Sequence, residues 1–524
     1  MKFLLLVLIV CGVFNVYKTA KILAVLPAPS YSHYVTGSVL ATELARRGHE
    51  VTVVSTFKPT TVPFGNYKFV EVKGIKDFLK REENILHYFE FDNYNKPFIS
   101  YVVHKFAYNV IEFFFNDENV KEFIKSGGHY DVVFVDEFFN EALYGFCNLF
   151  KAACVNLCSV SPTIWCNRPT GNIGMASYSS GMGTNYSPKM SFFQRLHNLF
   201  LFIAEEFIYH GYHIPKMEKL LHKSFPNSPP LYDLIYNISM VFVNSHPAMN
   251  APLPLTPNMI ELAGMHLDRM KNEKIPDDIQ SFLDKHNEGV VYFALGSNAK
   301  SKDFPKRVLK ELMNGFKKWG KPILWKFEDE LPEKLENVKI ASWLPQTSVL
   351  AHKNVIAFIT HGGRLSIIES LYYGVPMIGI PIFAEQPHNI AEMVYYKYGI
   401  GLDLNTFTAE DLYNSLHEIT TNSKFSEEAE MRSKIMQKKN ALDEAVYWIE
   451  HLVEFKGGSY LRTAGVDLPW YQFWMVDVIG FCVVCGFVLI TIVIFSILKC
   501  LKCLKRKPLF YINNESISID KKKK

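Results

Sequence analysis

Apolar and polar positions alternate in blocks along this chain. Residues 22–26 form an unbroken apolar run of strand length, residues 27–34 read as a loop, residues 37–47 as a helix closed by Gly48, and residues 51–55 as a second buried strand. Strand, helix and strand at this spacing predict a parallel sheet covered by helices. Residues 131–135 and 153–157 predict further strands. The pattern breaks in residues 244–257, where Pro247, Pro252, Pro254 and Pro257 exclude a helix or a central strand. It then restarts, with strands expected at 290–295, 322–326, 356–360 and 377–382 and helices between them. The expected fold is α/β: two doubly wound, Rossmann-like domains joined by the proline-rich segment. In such domains ligands sit beyond the C-terminal ends of the strands, here in a cleft between the two domains.

The ends of the chain carry a different pattern. Residues 1–20 read as a secretory signal, with Lys2 ahead of the apolar run 3–10, which is too short to span a membrane. Residues 478–498 contain no charge, and their 21 positions match a bilayer core of roughly 30 Å. Trp470, Tyr471 and Trp474 precede this stretch, and nine Lys/Arg follow it, ending in Lys521, Lys522, Lys523 and Lys524. Aromatic residues favour the headgroup zone and positive charge stays cytosolic, so the expectation is one membrane span, a lumenal body and a short cytosolic tail. The terminal lysines resemble the dilysine signal of proteins retrieved to the endoplasmic reticulum, and they also suit anionic lipid.

Charge and cysteines follow the same division. Without the tail and the signal, the overall +4 becomes −5 for the body, which argues against nucleic-acid binding. Cys11 lies in the signal; Cys482, Cys485, Cys500 and Cys503 lie in or beside the span, the last two as candidates for palmitoylation. Cys147, Cys154, Cys158 and Cys166 remain for disulfide formation in an oxidising lumen, with the connectivity left open. Asn185-Tyr-Ser and Asn237-Ile-Ser are N-glycosylation sequons.

No Gly-rich dinucleotide or Walker loop follows a strand, and no Asp-x-Asp or zinc-type His/Cys spacing occurs. Neither a redox cofactor nor a metal is expected. The chemistry concentrates in residues 342–389, SWLPQTSVLAHKNVIAFITHGGRLSIIESLYYGVPMIGIPIFAEQPHN. A strand there is followed by the turn His361-Gly362-Gly363 and a helix over 364–373. Glycines let a backbone approach a ligand closely, and a helix N-terminus offers free N–H groups to a diphosphate. Ser366 adds a hydroxyl, and Glu369, three residues on, faces the same way and suits a ribose diol.

In combination, Trp-x-Pro-Gln, His-Gly-Gly, Glu, Gly-Val-Pro and an acid-Gln pair with a following Asn resemble the UDP-glycosyltransferase family. The resemblance covers nearly the whole chain and looks most like animal members, particularly insect ones. It implies a GT-B fold with the donor on the C-terminal domain and the acceptor on the N-terminal one. By position it implies that Trp343 stacks on uracil beside Gln346, that Glu369 binds the ribose, and that Ser297, His361, Gly363 and Ser366 hold the diphosphate. Glu385 and Gln386 would take the sugar hydroxyls. The segment Pro29-Ser-Tyr-Ser-His33 resembles the family's base-bearing segment, and Asp136 matches its carboxylate partner, with Asp131 and Glu137 as rivals. A neutral imidazole can accept the proton of an attacking hydroxyl. Two positions depart from the family pattern: Glu385 stands where Asp is usual, and Arg364 where an apolar residue is more common.

The organisation this implies is signal 1–20, acceptor domain 21–243, linker 244–285, donor domain 286–455, juxtamembrane segment 456–477, span 478–498 and basic tail 499–524. The implied activity is inverting transfer from a UDP-sugar, UDP-glucose ahead of UDP-glucuronic acid, to a small lipophilic acceptor in a conjugating, detoxifying reaction. Membrane lipid and a second copy of the chain are the further partners, and no nucleic acid is. The apolar stretch 192–212 suits an acceptor pocket, a membrane surface or plain core packing. The rival readings are a non-catalytic single-span binding protein and another sugar-nucleotide enzyme, such as an epimerase, on the same fold.

Overall fold

A computed structural model describes residues 19–59, 64–82, 96–181, 183–270, 273–296 and 299–505. The expected signal core, Ser297 and the last lysines lie outside these residues. The first sheet contains β1 (Lys21–Leu26), β2 (Glu50–Ser55), β3 (Tyr67–Glu71), β4 (Val132–Glu137), β5 (Ala153–Cys158), β6 (Met240–Val243) and β7 (Met259–Glu261). Its order is β3-β2-β1-β4-β5-β6-β7, parallel throughout. The second sheet contains β8 (Val290–Ala294), β9 (Ile323–Lys326), β10 (Val338–Ala341), β11 (Val355–Thr360), β12 (Met377–Gly379) and β13 (Gly399–Gly401). Its order, β10-β9-β8-β11-β12-β13, repeats the plan of the first. The central strands are buried on both faces, so they read as continuous apolar runs, as parallel strands do. In each sheet the chain direction of winding reverses between the first and fourth strands, which places a crevice there.

The first sheet lies between two apolar layers. One holds Phe114, Phe146 and Leu221; the other holds Leu40 and Leu44 of α1 (Tyr31–Arg46). Gly37 of α1 rests on Leu26, and a Cβ there would lie 2.4 Å from Leu26 Cδ2. Close seating of α1 over the end of β1 therefore depends on that glycine.

Of the places where the structure differs from the sequence expectation, three bear on the site and the domain division. The segment expected as a loop at 27–34 ends at Ser30, because no helix breaker separates Tyr31 from Gly37 and Tyr31 and Tyr34 pack on Phe57. Part of the expected linker is structural: β7 closes the edge of the first sheet, while Ile279 and Leu283 of the helix Asp277–Lys285 join the core of the second. The last helix of the expected donor domain, α2 (Ala441–Glu454), packs through Leu442, Val446 and Ile449 into the core layer of the first sheet. Its apolar spacing shows that it has a buried face but not which sheet receives it.

The cysteines of the body are paired as Cys147–Cys154 and Cys158–Cys166. Residues 467–505 form a separate unit containing the helix Val476–Lys505, which has no buried residue along its length. This helix extends past the uncharged stretch at both ends and takes in Lys499 and Lys502, whose long stems let a charged head sit beyond the apolar zone. It fits a single-pass membrane anchor.

Candidate active site

Both crevices open on one cavity of about 1320 Å³. This exceeds the usual range of roughly 300–1,000 Å³ for one small ligand, so it has room for two substrates. From the first sheet it receives His33, on the first turn of α1, and residues following β4. From the second it receives Gly296, His361, Gly363, Ser366 and Glu369, together with Lys326, Trp343, Gln346, Glu385 and Gln386. Every described residue expected to contact the donor lines this one space.

His33 Nδ1 lies 3.2 Å from both carboxylate oxygens of Asp136, at the end of β4. Asp136 is fully buried, and its Oδ1 also accepts from Ser159 Oγ at 2.8 Å. Asn140 donates to the Asp136 carbonyl, tying down the strand end. The edge of the imidazole meets the Phe138 ring at 5.3 Å between centroids. Nδ1 is thereby engaged, and Nε2 is the nitrogen left to accept a proton. Burial pushes the His33 pKa down, but the neighbouring Asp136, helped by Glu385, outweighs it and leaves the value above the ordinary 6.5. Of the rival carboxylates, Asp131 instead accepts from the Lys21 N–H at the far end of β1. Glu137 sits against the Cys158–Cys166 pair, and burial followed by Glu141 pushes it up to about 8, so it is largely protonated at neutral pH.

On the facing side, Gln346 Nε2 donates to Glu369 Oε2 at 2.6 Å and to Ser366 Oγ at 3.1 Å. This joins three residues that the sequence separates into two motifs. Trp343 remains 60% exposed, an aromatic face open to the cavity. His361 sits between Gly296 and Gly363; burial, and then Lys326, lower its pKa to about 4, so it is neutral at physiological pH. Gln386 uses its side-chain oxygen to accept from the Ile382 and Phe383 N–H groups, which leaves only its amide nitrogen for a ligand. Glu385 follows Ala384, whose φ of +57° turns the chain sharply before the next helix. Its carboxylate has no hydrogen-bond partner among the described residues. Arg364, which stands where an apolar residue is more common in the family, is buried.

Sequence reasoning missed Lys326. It ends β9, donates to the Gly296 carbonyl at 2.7 Å and lies 5.5 Å above the Trp343 ring. The rule that ligands meet strand C-termini marks this position, but a lone lysine carries no motif. It missed Ser159 for the same reason.

The glycines around His361 give a direct test. Gly363 has an ordinary φ of −63°, so alanine there brings no backbone strain. Its Cβ would, however, lie 2.5 Å from His361 Nε2. Gly363→Ala is expected to displace the imidazole and weaken UDP binding at least about tenfold, the scale of one lost hydrogen bond, without unfolding the chain. Calorimetric titration with UDP measures this; unchanged affinity would remove His361 from the diphosphate site.

A pair of parallel Rossmann-type sheets sharing one cleft, with a His–Asp pair on one wall and a Gly-Gly helix start on the other, defines a glycosyltransferase of the GT-B class. The chain belongs to the family described as UDP-glucoronosyl and UDP-glucosyl transferase, which it matches over residues 20–509. It is 32% identical over 497 residues to UDP-glucosyltransferase 2 of Dactylopius coccus, covering 93% of this chain and 95% of that protein. It is 29% identical to human UDP-glucuronosyltransferase 2B7, covering 90% and 91% respectively. Among solved structures, it resembles Os79 from O. sativa in complex with U2F and trichothecene (TM-score 0.56, 17% identity, 82% of this chain and 100% of that one). The glycosyltransferase VinC in complex with DTDP gives TM-score 0.56 at 17% identity, over 83% and 100%. These likenesses establish the fold. The chain is thus an enzyme that transfers sugar from a UDP-sugar.

Proposed function

We propose inverting transfer of glucose from UDP-glucose to a hydroxyl of a small lipophilic acceptor, as a conjugating, detoxifying reaction. The observation that carries this reading is the His33–Asp136 pair facing the donor groups across one cavity. The acceptor oxygen gives its proton to His33 Nε2 as it bonds to the anomeric carbon. The bond from that carbon to the diphosphate oxygen breaks, and its electron pair leaves with UDP. Attack opposite UDP turns an α donor into a β-glycoside. Phe106, Phe138, Phe139, Val103, Leu201 and Phe202 give the first-sheet side of the cavity an apolar wall suited to a lipophilic acceptor. A base is needed because an aliphatic alcohol is far too weak an acid to ionise unaided at neutral pH.

Trp343 would stack on uracil, with Glu369, held by Gln346, accepting from the ribose hydroxyls. Gly363, Ser366 and His361 would hold the diphosphate at the start of the helix Arg364–Tyr372, and Glu385 and Gln386 would contact the sugar. The helix N-terminus, the His361 N–H and Lys326 would meet the charge developing on UDP without a metal. Glucose is favoured over glucuronic acid by the insect relative named as a glucosyltransferase. The test is UDP release with a simple phenol across UDP-glucose, UDP-glucuronic acid and UDP-galactose, with and without chelator. Release from UDP-glucose, unaffected by chelation, is expected; loss on chelation would overturn the metal-free reading, and no release from any donor would overturn transfer itself.

The body is proposed to lie in the lumen of the endoplasmic reticulum, anchored by the helix Val476–Lys505, with glycans on Asn185 and Asn237, both exposed. Phe192, Phe193, Leu196, Phe200 and Phe207 are exposed along the helix Phe192–Ile208, supporting contact with lipid. Leu201, Phe202 and Glu205 of the same helix line the cavity. Protease added to sealed microsomes is expected to trim only a stub after Lys499; digestion of the body would reverse the topology.

A further inference from the structure

We propose that Glu205 reads a protonated amine on the acceptor, so that the substrates this chain takes best are lipophilic phenols or alcohols carrying a cationic group. The inference rests on the transfer reading above and narrows its acceptor class. Glu205 belongs to the helix Phe192–Ile208 and lines the cavity, its side chain 14% exposed. A carboxylate in an apolar wall needs donors, and the fold supplies three from two other segments. Oε1 accepts from His104 Nε2 at 2.8 Å and from Trp165 Nε1 at 3.1 Å, and Oε2 accepts from Ser100 Oγ. The serine hydroxyl and the indole N–H are neutral donors. The imidazole is neutral as well. His104 is fully buried and its Nδ1 has no partner among the described residues, so a second proton there would be a buried donor without an acceptor. Burial accordingly lowers the His104 pKa. The carboxylate stays ionised: burial raises its pKa, but the hydrogen bonds, led by His104, outweigh that and leave it below the ordinary value.

Hydrogen bonds are therefore present at Glu205, but a counter-charge is not. Among the described residues no Lys or Arg forms an ion pair with it; Arg168 is paired with the adjacent Glu206 at 2.6 Å. Lys96, one turn before Ser100 on the same helix, has its stem against Gly183. A largely buried charge without a counter-charge is unfavourable unless a ligand supplies one. Each carboxylate oxygen can accept twice, and Oε2 has one donor, so room for another remains. An ammonium group donates to that position and neutralises the charge, and aromatic surroundings favour a cation further. Trp165 and Phe139, 4.4 Å apart between ring centroids, both line the cavity here. An acceptor carboxylate would be repelled, and a pure hydrocarbon would leave Glu205 unmatched. Ring contacts run from His33 to Phe138 at 5.3 Å, on to Phe139 at 5.8 Å, and on to His104 at 4.3 Å. The proposed base and Glu205 thus stand on one continuous wall, where a single molecule meets both.

The test compares phenols bearing an ω-aminoalkyl chain of graded length with their uncharged counterparts, the alkyl and ω-hydroxyalkyl phenols of equal length. Binding to the UDP-loaded full chain in detergent is measured by calorimetry at neutral pH, and transfer by kcat/KM. At the best-matched length the amine is expected to bind about tenfold to a hundredfold more tightly than either counterpart, the range for a hydrogen bond to a charged group. Glu205→Gln keeps the shape and removes the charge, and should bring that ratio close to unity. Glu205→Asp restores the charge on a shorter stem and should recover the preference, with a longer amine now the best. Equal binding of amine and alkyl phenol by the wild type at every length would overturn the proposal, whether or not the variants fold. So would an ω-hydroxyalkyl phenol bound as tightly as the amine, which would remove charge from the recognition. A preference that survives Glu205→Gln would assign the amine to another group. Amine, alkyl phenol and UDP binding falling together in Glu205→Gln, without recovery in Glu205→Asp, would make Glu205 a structural brace. Selective amine binding without transfer would sink the transfer reading and leave the amine site standing, while transfer without amine preference would do the reverse.

Discussion

Replacing His33 with alanine is expected to abolish transfer to aliphatic alcohols while leaving UDP binding close to that of the wild type. The proposed base stands at the start of α1 over the first sheet, and the groups assigned to UDP stand on the second. Removing a positioned base typically costs roughly 10²–10⁴ in rate, and His33 is the proposed base, held on Asp136 at the cavity wall. The loss should depend on the acceptor. A phenol of low pKa is already partly ionised and needs the base less, so the mutant-to-wild-type ratio should rise as acceptor pKa falls. Turnover across acceptors of graded pKa at fixed pH measures this. Equal losses along the series, or UDP affinity falling in step with activity, would make His33 structural and send the search for the base elsewhere.

Asp136→Asn is expected to cost a comparable factor and also to move the pH profile. The working form of His33 is neutral, so kcat/KM should fall as pH drops through its pKa. Asp136 helps hold that pKa above 6.5, so the wild-type acid limb should lie above that value. Asparagine keeps the shape but removes the charge, leaving burial to dominate, so the limb should shift to lower pH. The amide also lets the imidazole take the wrong tautomer, which lowers the plateau by up to about 10⁴ where this has been tested in triads. The double variant with His33→Ala should be little worse than either single one, because the pair acts as a unit. A lowered plateau with an unmoved acid limb would mean that Asp136 orients the ring without setting its charge.

That the residues assigned to the donor share one cavity wall was legible because they are close in sequence and ordered. A strand, a Gly-Gly turn and a helix start are local structure, and Trp343 to Gln386 spans a single stretch. The interior strands other than β6 were legible because full burial demands continuous apolar runs, whose ends shifted by one to three residues. Less could be read where long-range packing decides. The start of α1 lay inside an expected loop because Tyr31 and Tyr34 find a partner in Phe57, some two dozen residues away. Burial of Arg364 could not be inferred, since an arginine at a helix start is normally solvated.

The sequence by itself determined the class of fold, the donor motif and the apolar span, since each is written in local periodicity or in a contiguous run. Only the tertiary structure decided which carboxylate meets His33. Asp131, Asp136 and Glu137 lie within one strand and its approach, and the strand's alternation and twist bring Asp136 to the imidazole while Asp131 meets the N–H of Lys21. It also decided that Cys147 pairs with Cys154 and Cys158 with Cys166, that α2 returns to the first sheet, and that Arg364 is buried against Asn250. These are contacts between residues separated along the chain, and their geometry is fixed by packing of the sheets and helices, which no local pattern records.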